Sequence, residues 1–451
     1  MELFELLKQG QPHRIAVTYR KQKIGEELRI WQDAKNAQLD ILIGTRPAVF
    51  TPMCNLGLII IEEEDGYGYK EEQAPYYHAR EVALMRAQLG EHKVILAGRT
   101  PTLESYYAIK TKKMRYIGPE AGEDEKSEIK IVDMRQYGFS RKGARPIISP
   151  ALGDRIQKAL TAGKKIIIFV NRKGFAASAY CPKCGLVLTC EKCSRGLAFY
   201  SEEKKLVCNL CGLTKPLPSA CPQCGARYIK HKGFGIERIK SQLHLSYPQA
   251  KICRIDKEHD TLPPDAQIIL ATEMIFHREQ VPAADVVAAI DLDKALQIVN
   301  YRGNEKLYSL VHRLKTIVRD ELLIQTAMPE HYQQKEFIHF NIQKLFDAEL
   351  RERKALSLPP FAHLAAVSLR GKDLEHTKRI AFEVYEKLKD KDSKVMIFEP
   401  TEGLPAKLRG KYRFNILLKA KNPFHLSDFL RKHLAGIRHS GVISTIEIDP
   451  Q

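Results

Sequence analysis

Between residues 181 and 224 the chain carries eight of its ten cysteines, all in pairs with two residues between them: Cys181/Cys184, Cys190/Cys193, Cys208/Cys211 and Cys221/Cys224. Disulfides rarely persist in a reducing compartment, whereas a CxxC turn presents two thiolates to one ion. Two such turns complete a tetrahedral four-sulfur site of the kind zinc favours, so eight ligands predict two zinc ions. Five residues separate Cys184 from Cys190, while fourteen separate Cys193 from Cys208, enough for a hairpin ("SRGLAFYSEEKKLV"). The spacing favours a nested pairing, with Cys190, Cys193, Cys208 and Cys211 on one ion and Cys181, Cys184, Cys221 and Cys224 on the other. Neither set leaves an obvious open position, so both sites are expected to be structural, stapling an insert (179–225) too poor in apolar residues to fold unaided. Its spacing is compatible with self-bracing alone and with contacts to DNA or a partner protein. Cys54 and Cys253 have no partner at ligand spacing.

Around this insert, short apolar runs alternate with helix-like segments. "DILIGT" (40–45), "GLIIIEEE" (57–64) and "KVILAG" (93–98) read as strands, with a helix over 78–90. A second set follows: "KKIIIFVN" (164–171), "AKICRID" (250–256), "AQIILATE" (266–273), "VVAAIDLD" (286–293) and "ELLIQT" (321–326). Continuous rather than alternating hydrophobicity predicts parallel strands covered on both faces. The expected architecture is α/β, with an incomplete first lobe (1–118), a second lobe (119–178 and 226–330) interrupted by the insert, and an α+β domain (331–451). Within the last, a helix stops at Pro359–Pro360, and further elements are expected at 374–388, 411–419, 424–435 and 443–449.

The 451 residues carry a net charge of +18. A surplus of this size points to a polyanion, nucleic acid first. No run approaches the roughly 20 uncharged apolar residues of a membrane span, and the start has no signal-peptide core, so a cytoplasmic protein is expected.

Leu58 to Ile61 leads directly into Glu62, Glu63, Glu64 and Asp65. In a nucleotide-driven motor such strand-end acids hold magnesium and polarise water beside a phosphate-binding loop. Gly-Lys occurs at Gly163–Lys164, Gly371–Lys372 and Gly410–Lys411, followed by Lys, Asp and Tyr, so none of the three ends a phosphate loop.

From about residue 40 onward the chain resembles the primosomal protein N-prime (PriA) family of replication-restart helicases. "ILIGTRPAVFTPMCNLGLIIIEEEDGYGYKEEQAPYYHAR", "AGRTPTLES", "FVNRKGFA" before the cysteines, "GFGIERI" and "RID" after them, "ERKALSLPPF", "PAKLRGKYRFNILLK" and "IEIDP" follow the family's order. The resemblance implies two RecA-like lobes of the helicase superfamily 2 type and a role in replication restart, with DNA and primosome or replication proteins as partners and a nucleoid-associated location. Relative to the family, the resemblance implies an amino-terminally truncated chain. Its acid box is Glu62, Glu63, Glu64, Asp65 without the terminal histidine, Arg99 replaces a small residue, and "ATEMIFHREQVP" and "HRLKTIVRDELL" lack the family's glycines and paired arginines. These losses fall on parts that touch phosphate or transition-state charge, so bound ATP and magnesium are not expected and the acid box reads as a relic with a solvated strand end.

The DNA-facing candidates are as follows. Tyr67, Tyr69, Tyr76 and Tyr77 with Lys70 and Arg80 combine aromatic faces with cations, which suits single strands, and the family's corresponding loop engages DNA. Lys407, Arg409, Lys411 and Arg413 fall at alternate positions and would share one face of a strand. Arg46, Arg172 and Lys173 are implied by the resemblance. The expected function is a DNA-binding protein of replication restart for forked or single-stranded DNA. The alternatives are an active ATP-dependent 3'-5' DNA helicase whose phosphate-loop half is encoded separately or lost to a wrong start, and a protein-interaction scaffold.

Overall fold

The computed structural model describes residues 14–19, 22–71, 73–118, 127–137, 146–171, 178–180, 186, 188, 190–191, 197–200, 205–207, 213–227, 230–232, 236–278, 280–290, 292–293, 301–333, 335–434 and 439–450. The chain divides into two compact units, Met1–Lys110 and Thr111–Pro450.

In the first unit, β1 (Ile15–Thr18) and β2 (Ile41–Gly44) pair in parallel with α1 (Ile24–Lys35) between them in sequence. Further along, β3 (Leu58–Ile61) and β4 (Lys93–Leu96) pair in parallel around α2 (Ala79–Gly90), and α3 (Leu103–Lys110) closes the unit. The described strands form two separate two-stranded sheets, not one. Continuous hydrophobicity was expected to mean cover on both faces, yet Leu58, Ile60 and Ile95 are exposed. The apolar run is real, but among the described residues of this unit it is not buried on both faces.

The second unit meets the expectation. Its sheet has six strands in the order β12-β13-β6-β14-β15-β5, all parallel. These are β5 (Glu128–Asp133), β6 (Ile166–Val170), β12 (Ile252–Ile255), β13 (Ile268–Ala271), β14 (Ala284–Ile290) and β15 (Val318–Thr326). The edge strand β5 comes from the start of the second lobe, ahead of the apolar runs that marked it. In β6 every residue is buried: Ile166, Ile168 and Val170 face one core, and Ile167 and Phe169 the other. On the first side lie α4 (Pro150–Thr161) and α5 (Ile236–Ser246), through Ile156 and Ile239. On the other lies α6 (Gly303–Lys315), through Leu307, Val311 and Leu314. Ser149 caps α4 by accepting from the Leu152 N–H at 3.1 Å, and Pro150 takes the first helical position, where its missing N–H costs nothing. Among the described residues no helix is long and apolar enough to cross a membrane.

The insert is an antiparallel sheet ordered β10-β9-β8-β7-β11, of three-residue strands: β7 (Ser178–Tyr180), β8 (Ala198–Tyr200), β9 (Lys205–Val207), β10 (Thr214–Pro216) and β11 (Lys230–Lys232). Its core is small: Leu188, Cys190, Leu197, Leu206 and Cys221.

The C-terminal part is an antiparallel sheet, β17-β19-β16-β20, with β18 also on β19. Its strands are β16 (His363–Gly371), β17 (Met396–Ile397), β18 (Thr401–Leu408), β19 (Lys411–Ala420) and β20 (Val442–Ile448). The preceding helix, α7 (Ile342–Ala355), does not belong to this sheet's core. Phe337 and Leu345 pack with Leu307 and Val311 in the second lobe, so packing sets the division after Ala355 rather than at 331. Two later helices, α8 (Leu374–Leu388) and α9 (Pro423–Leu434), cover one sheet face through Ile380, Val384, Leu426 and Leu430.

The joint is ionic and buried. Arg353, 1% exposed, donates to Glu349 at 3.0 Å and Glu305 at 2.9 Å, and to the carbonyls of Pro359 (3.2 Å) and Tyr301 (3.3 Å). Arg302 reaches Glu305 at 3.1 Å, and both guanidinium groups lie 5.0 Å from the Tyr301 ring. Removing one member of such a buried set strands its partners without water, at about 3–5 kcal/mol. Arg353→Ala is therefore expected to lower the melting temperature of the second unit by several degrees. A double-mutant cycle with Glu305→Gln, read by denaturant unfolding, should give coupling of about 0.5–3 kcal/mol.

Candidate nucleic-acid interface and cysteine module

The acid-box residues diverge in fate. Glu62 is exposed, and Glu63 turns the chain with φ 49°. Glu64 is buried and accepts from four donors: Arg80 Nη1 (3.2 Å), the Thr102 N–H (2.8 Å), Thr102 Oγ1 (3.2 Å) and Ser105 Oγ (2.8 Å). The motif "TPTLES" therefore supplies Thr102 and Ser105 as a seat for the second-to-last acid of the strand tip.

Arg80 is correspondingly not a surface cation. It lies 5% exposed between Glu64, Glu81 (2.9 Å) and Glu104 (3.9 Å). Burial alone would lower its pKa, but Glu104, Glu81 and Glu64 outweigh it, and the net shift is upward. Its assignment to DNA is corrected: the guanidinium is consumed by carboxylates within its own unit. Lys70 is also buried, and its carbonyl accepts from Arg46, which pairs with Glu71 at 3.2 Å. These bonds, with the Lys70–His78 bridge and the Glu71 N–H to Tyr77 carbonyl bond (2.8 Å), fold the loop on itself. Tyr77 packs edge-on against Phe50 at 4.8 Å. Tyr69 donates to the Glu62 carbonyl, and burial followed by the charges of Glu62 and Glu63 pushes its phenol up. Tyr76 is partly exposed, and Tyr67 lies in the short 3-10 turn Tyr67–Tyr69. Arg172 and Lys173 lie outside the described residues.

The second basic cluster is not one strand face. The chain reverses at Arg409 (φ 50°) and Gly410 (φ +80°), pairing Leu408 with Lys411 and Lys407 with Tyr412. Two consecutive left-handed residues are what a two-residue hairpin of this twist needs. Lys407 thus shares a face with Tyr412, whose ring lies 4.8 Å from its Nζ, whereas Lys411 and Arg413 take the other face. Arg409 is exposed at the tip. The alternation was legible; the turn, signalled by "RG", was missed. Leu408 packs against the insert's core.

Two polar networks at the carboxyl ends of the second-unit strands were also missed. After β14, Asp293 accepts from Thr326 (2.6 Å), Tyr332 (2.9 Å) and the Ala327 N–H (2.7 Å). After β12, Asp256 accepts from Arg254, the Glu258 N–H (2.9 Å) and His259 Nδ1 (3.2 Å). The "RID" pattern held the signal, since residues two apart on a strand share a face.

Of the eight module cysteines, Cys190, Cys221 and Cys224 are described; Cys181, Cys184, Cys193, Cys208 and Cys211 lie outside the described residues. The three described thiols all lie at the module's small core. The Gly225 N–H donates to the Cys221 carbonyl at 2.9 Å, with Gly225 at φ +70°, closing a tight turn around the Cys221/Cys224 pair. A CxxC turn of this kind is compatible with a thiolate-held metal. Register bears on the pairing. Tyr180, one residue before Cys181, lies opposite Lys230, the start of the strand that follows Cys221/Cys224. Val207, one residue before Cys208, lies opposite Ala198, the start of the strand that follows Cys190/Cys193.

Residues 354–451 match the family "Primosomal protein N C-terminal domain". Over 97% of its length the chain is 28% identical to the replication restart protein PriA of Bacillus subtilis and 30% identical to that of Chlamydia muridarum. The chain is PriA-like. It spans 57% and 61% of those two relatives. A solved structure of RecG bound to a three-way DNA junction aligns with 78% of the PriA-like chain and 38% of RecG, at 12% identity and a TM-score of 0.37, too low to carry an argument.

Replacing Arg80 by Met should destabilise the first unit, with a penalty of about 3–5 kcal/mol, because Glu64 is left buried and unpaired. The loss should be read by urea unfolding of the variant beside the parent. A second expectation concerns acid. Burial pushes the Asp256 carboxyl up, but the Glu258 N–H, Arg254 and His259 together hold it below the ordinary aspartate range. A depressed folded-state value contributes stability that is complete above the unfolded value of about 3.9 and is lost as pH falls through the folded one. Asp256→Asn should therefore flatten the loss of stability between about pH 5 and pH 2, followed by urea unfolding.

Proposed function

We propose that this chain is a zinc-stapled DNA-binding protein of replication restart that engages forked or single-stranded DNA and has no autonomous ATPase or helicase activity. Likeness to PriA along 97% of the chain carries the reading. The net charge of +18 supports a polyanionic partner. The helicase-type character of the parallel α/β lobe is part of the same proposal, as are primosome or replication proteins as partners and a cytoplasmic, nucleoid-associated location.

In this reading the exposed hairpin tip, Arg409 with Lys407 and Lys411, meets backbone phosphates, and Tyr76 offers a face to unstacked bases. Arg172 and Lys173 remain proposed contacts. The acid box does not serve nucleotide hydrolysis: Glu64 is committed to Arg80, Thr102 and Ser105, which makes it a structural clasp. Two zinc ions are held by Cys181, Cys184, Cys221 and Cys224 and by Cys190, Cys193, Cys208 and Cys211. Zinc would supply folding free energy there, not chemistry. The register of β7 with β11 and of β8 with β9 supports this nesting.

Anisotropy titration of a labelled fork in rising KCl tests the reading, with a log–log slope of about −0.9 for each duplex phosphate contacted. Salt-independent or absent binding would reject the DNA role. DNA-stimulated ATP hydrolysis by the purified chain would reject the non-catalytic part. Elemental analysis should find two zinc ions per chain. Cys221→Ser should lose one, and chelation should unfold the module without melting the six-stranded sheet.

A further inference from the structure

The C-terminal sheet has one face covered by helices and one without them. Val367, Leu369, Phe414, Ile416 and Leu418 lie in the core with α8 and α9. By strand alternation Arg370 and Arg413, each next in sequence to one of these, stand on the opposite face. Register sets them directly across from each other on the adjacent strands β16 and β19. Like charges directly opposed weaken a sheet unless something answers them. Among the described residues almost nothing does. Arg370 donates one bond to Thr445 Oγ1 at 3.1 Å, and the Nε atoms of both arginines are buried and unbonded. Among the described residues no carboxylate pairs with either. Burial, followed by the charge of Arg370, lowers the pKa of Arg413.

The neighbouring strand makes room for this pair. A side chain at Gly403 on β18 would begin 2.8 Å from the Cβ of Arg413 and 3.4 Å from its Nε. Only the absence of a Cβ lets β18 pass beside the guanidinium. Around the pair, Ser368 and Asn415 bond to each other at 2.7 Å, so this row of the face is polar but uncharged. Two forked donors, set opposite each other by register and with no carboxylate partner among the described residues, suit the tetrahedral oxygens of a phosphate.

We propose that Arg370 and Arg413 form a two-pronged seat for a phosphate group on the open face of the C-terminal sheet. The phosphate belongs either to a polynucleotide backbone or to a free phosphate species. The backbone case rests on the DNA reading above and adds Arg370, which that reading lacks.

The test uses the full chain and the variants Arg370→Gln, Arg413→Gln and Arg413→Lys, with Lys391→Gln as a control for net charge. A labelled single strand and a fork are titrated in rising KCl, and melting temperatures are followed with and without inorganic phosphate. Each Gln variant is expected to weaken oligonucleotide binding several-fold, irrespective of sequence, and to reduce the salt slope by about 1. Arg413→Lys should keep the slope but recover only part of the affinity, because it retains charge without the fork. The control should change neither. Without phosphate the Gln variants should melt no lower than the parent, since one of two opposed charges is gone, and phosphate should stabilise the parent more than the variants. Loss of phosphate protection with unchanged oligonucleotide affinity supports the seat and assigns it to a free phosphate species. If the parent binds the fork and the Gln variants match it in both assays, the seat is overturned while the DNA reading stands. If the parent binds no DNA yet gains phosphate protection that the variants lack, the DNA reading falls and the seat stands.

Discussion

Arg353 ties the core of the six-stranded sheet to the chain that enters the C-terminal sheet. Its guanidinium is buried on α7, its carboxylate partners lie on α6 and α7, and one bond runs to Pro359 at the entry to the C-terminal sheet. A fully buried cation must have its donors answered, because nothing else compensates its loss of water. Geometry then allows little freedom: with Glu305, Glu349, Arg302 and the Tyr301 ring all engaged, α6 and α7 are held in one arrangement. The chain that leads into β16 leaves from that joint, with the Pro359 carbonyl bonded to Arg353 and the Leu356 carbonyl to Lys419.

The parallel sheet was legible in the sequence because its strands are buried on both faces. Ile166 to Val170 contribute alternately to two cores, and such a strand has no polar side to interrupt the run. Helix limits in the C-terminal domain were legible for a different reason. Asp373 caps α8 through the His376 N–H at 2.6 Å, and Leu374 to Leu388 then carries a clean helical apolar stripe. The first unit shows the limit of this reasoning. Leu58 to Ile61 is as apolar as any strand of the second unit, but periodicity measures what a segment could bury, not what is available to bury it.

Site residues were less legible, because the fate of a charge depends on tertiary neighbours that no local pattern encodes. "PYYHAR" suggested a cation beside stacking rings. Arg80 instead turns inward because Glu64, Glu81 and Glu104 converge on it from the strand end and from two helices. Arg46 is similarly tied to Glu71. In "LRGKYRF" the alternation of cations was visible, yet the reversal at Arg409–Gly410 divides them between two faces. Arg370 could not be singled out at all, since its significance arises only when register brings it opposite Arg413 across 43 residues of sequence.

These cases separate the chain's positive charge into two kinds. Arg80, Arg302 and Arg353 are buried with carboxylates and contribute to the fold; their charge is invisible from outside. Arg370 and Arg413 are held by the sheet without such partners, and the exposed tip carries Arg409. A net charge of +18 therefore says less about recognition than the distribution of its counter-ions does. Where a cation is ordered by backbone register rather than by an acid, the protein bears the repulsion itself, and an external anion is what relieves it. That asymmetry, more than the density of lysine and arginine along the sequence, distinguishes a surface that can hold phosphate from one that is merely basic.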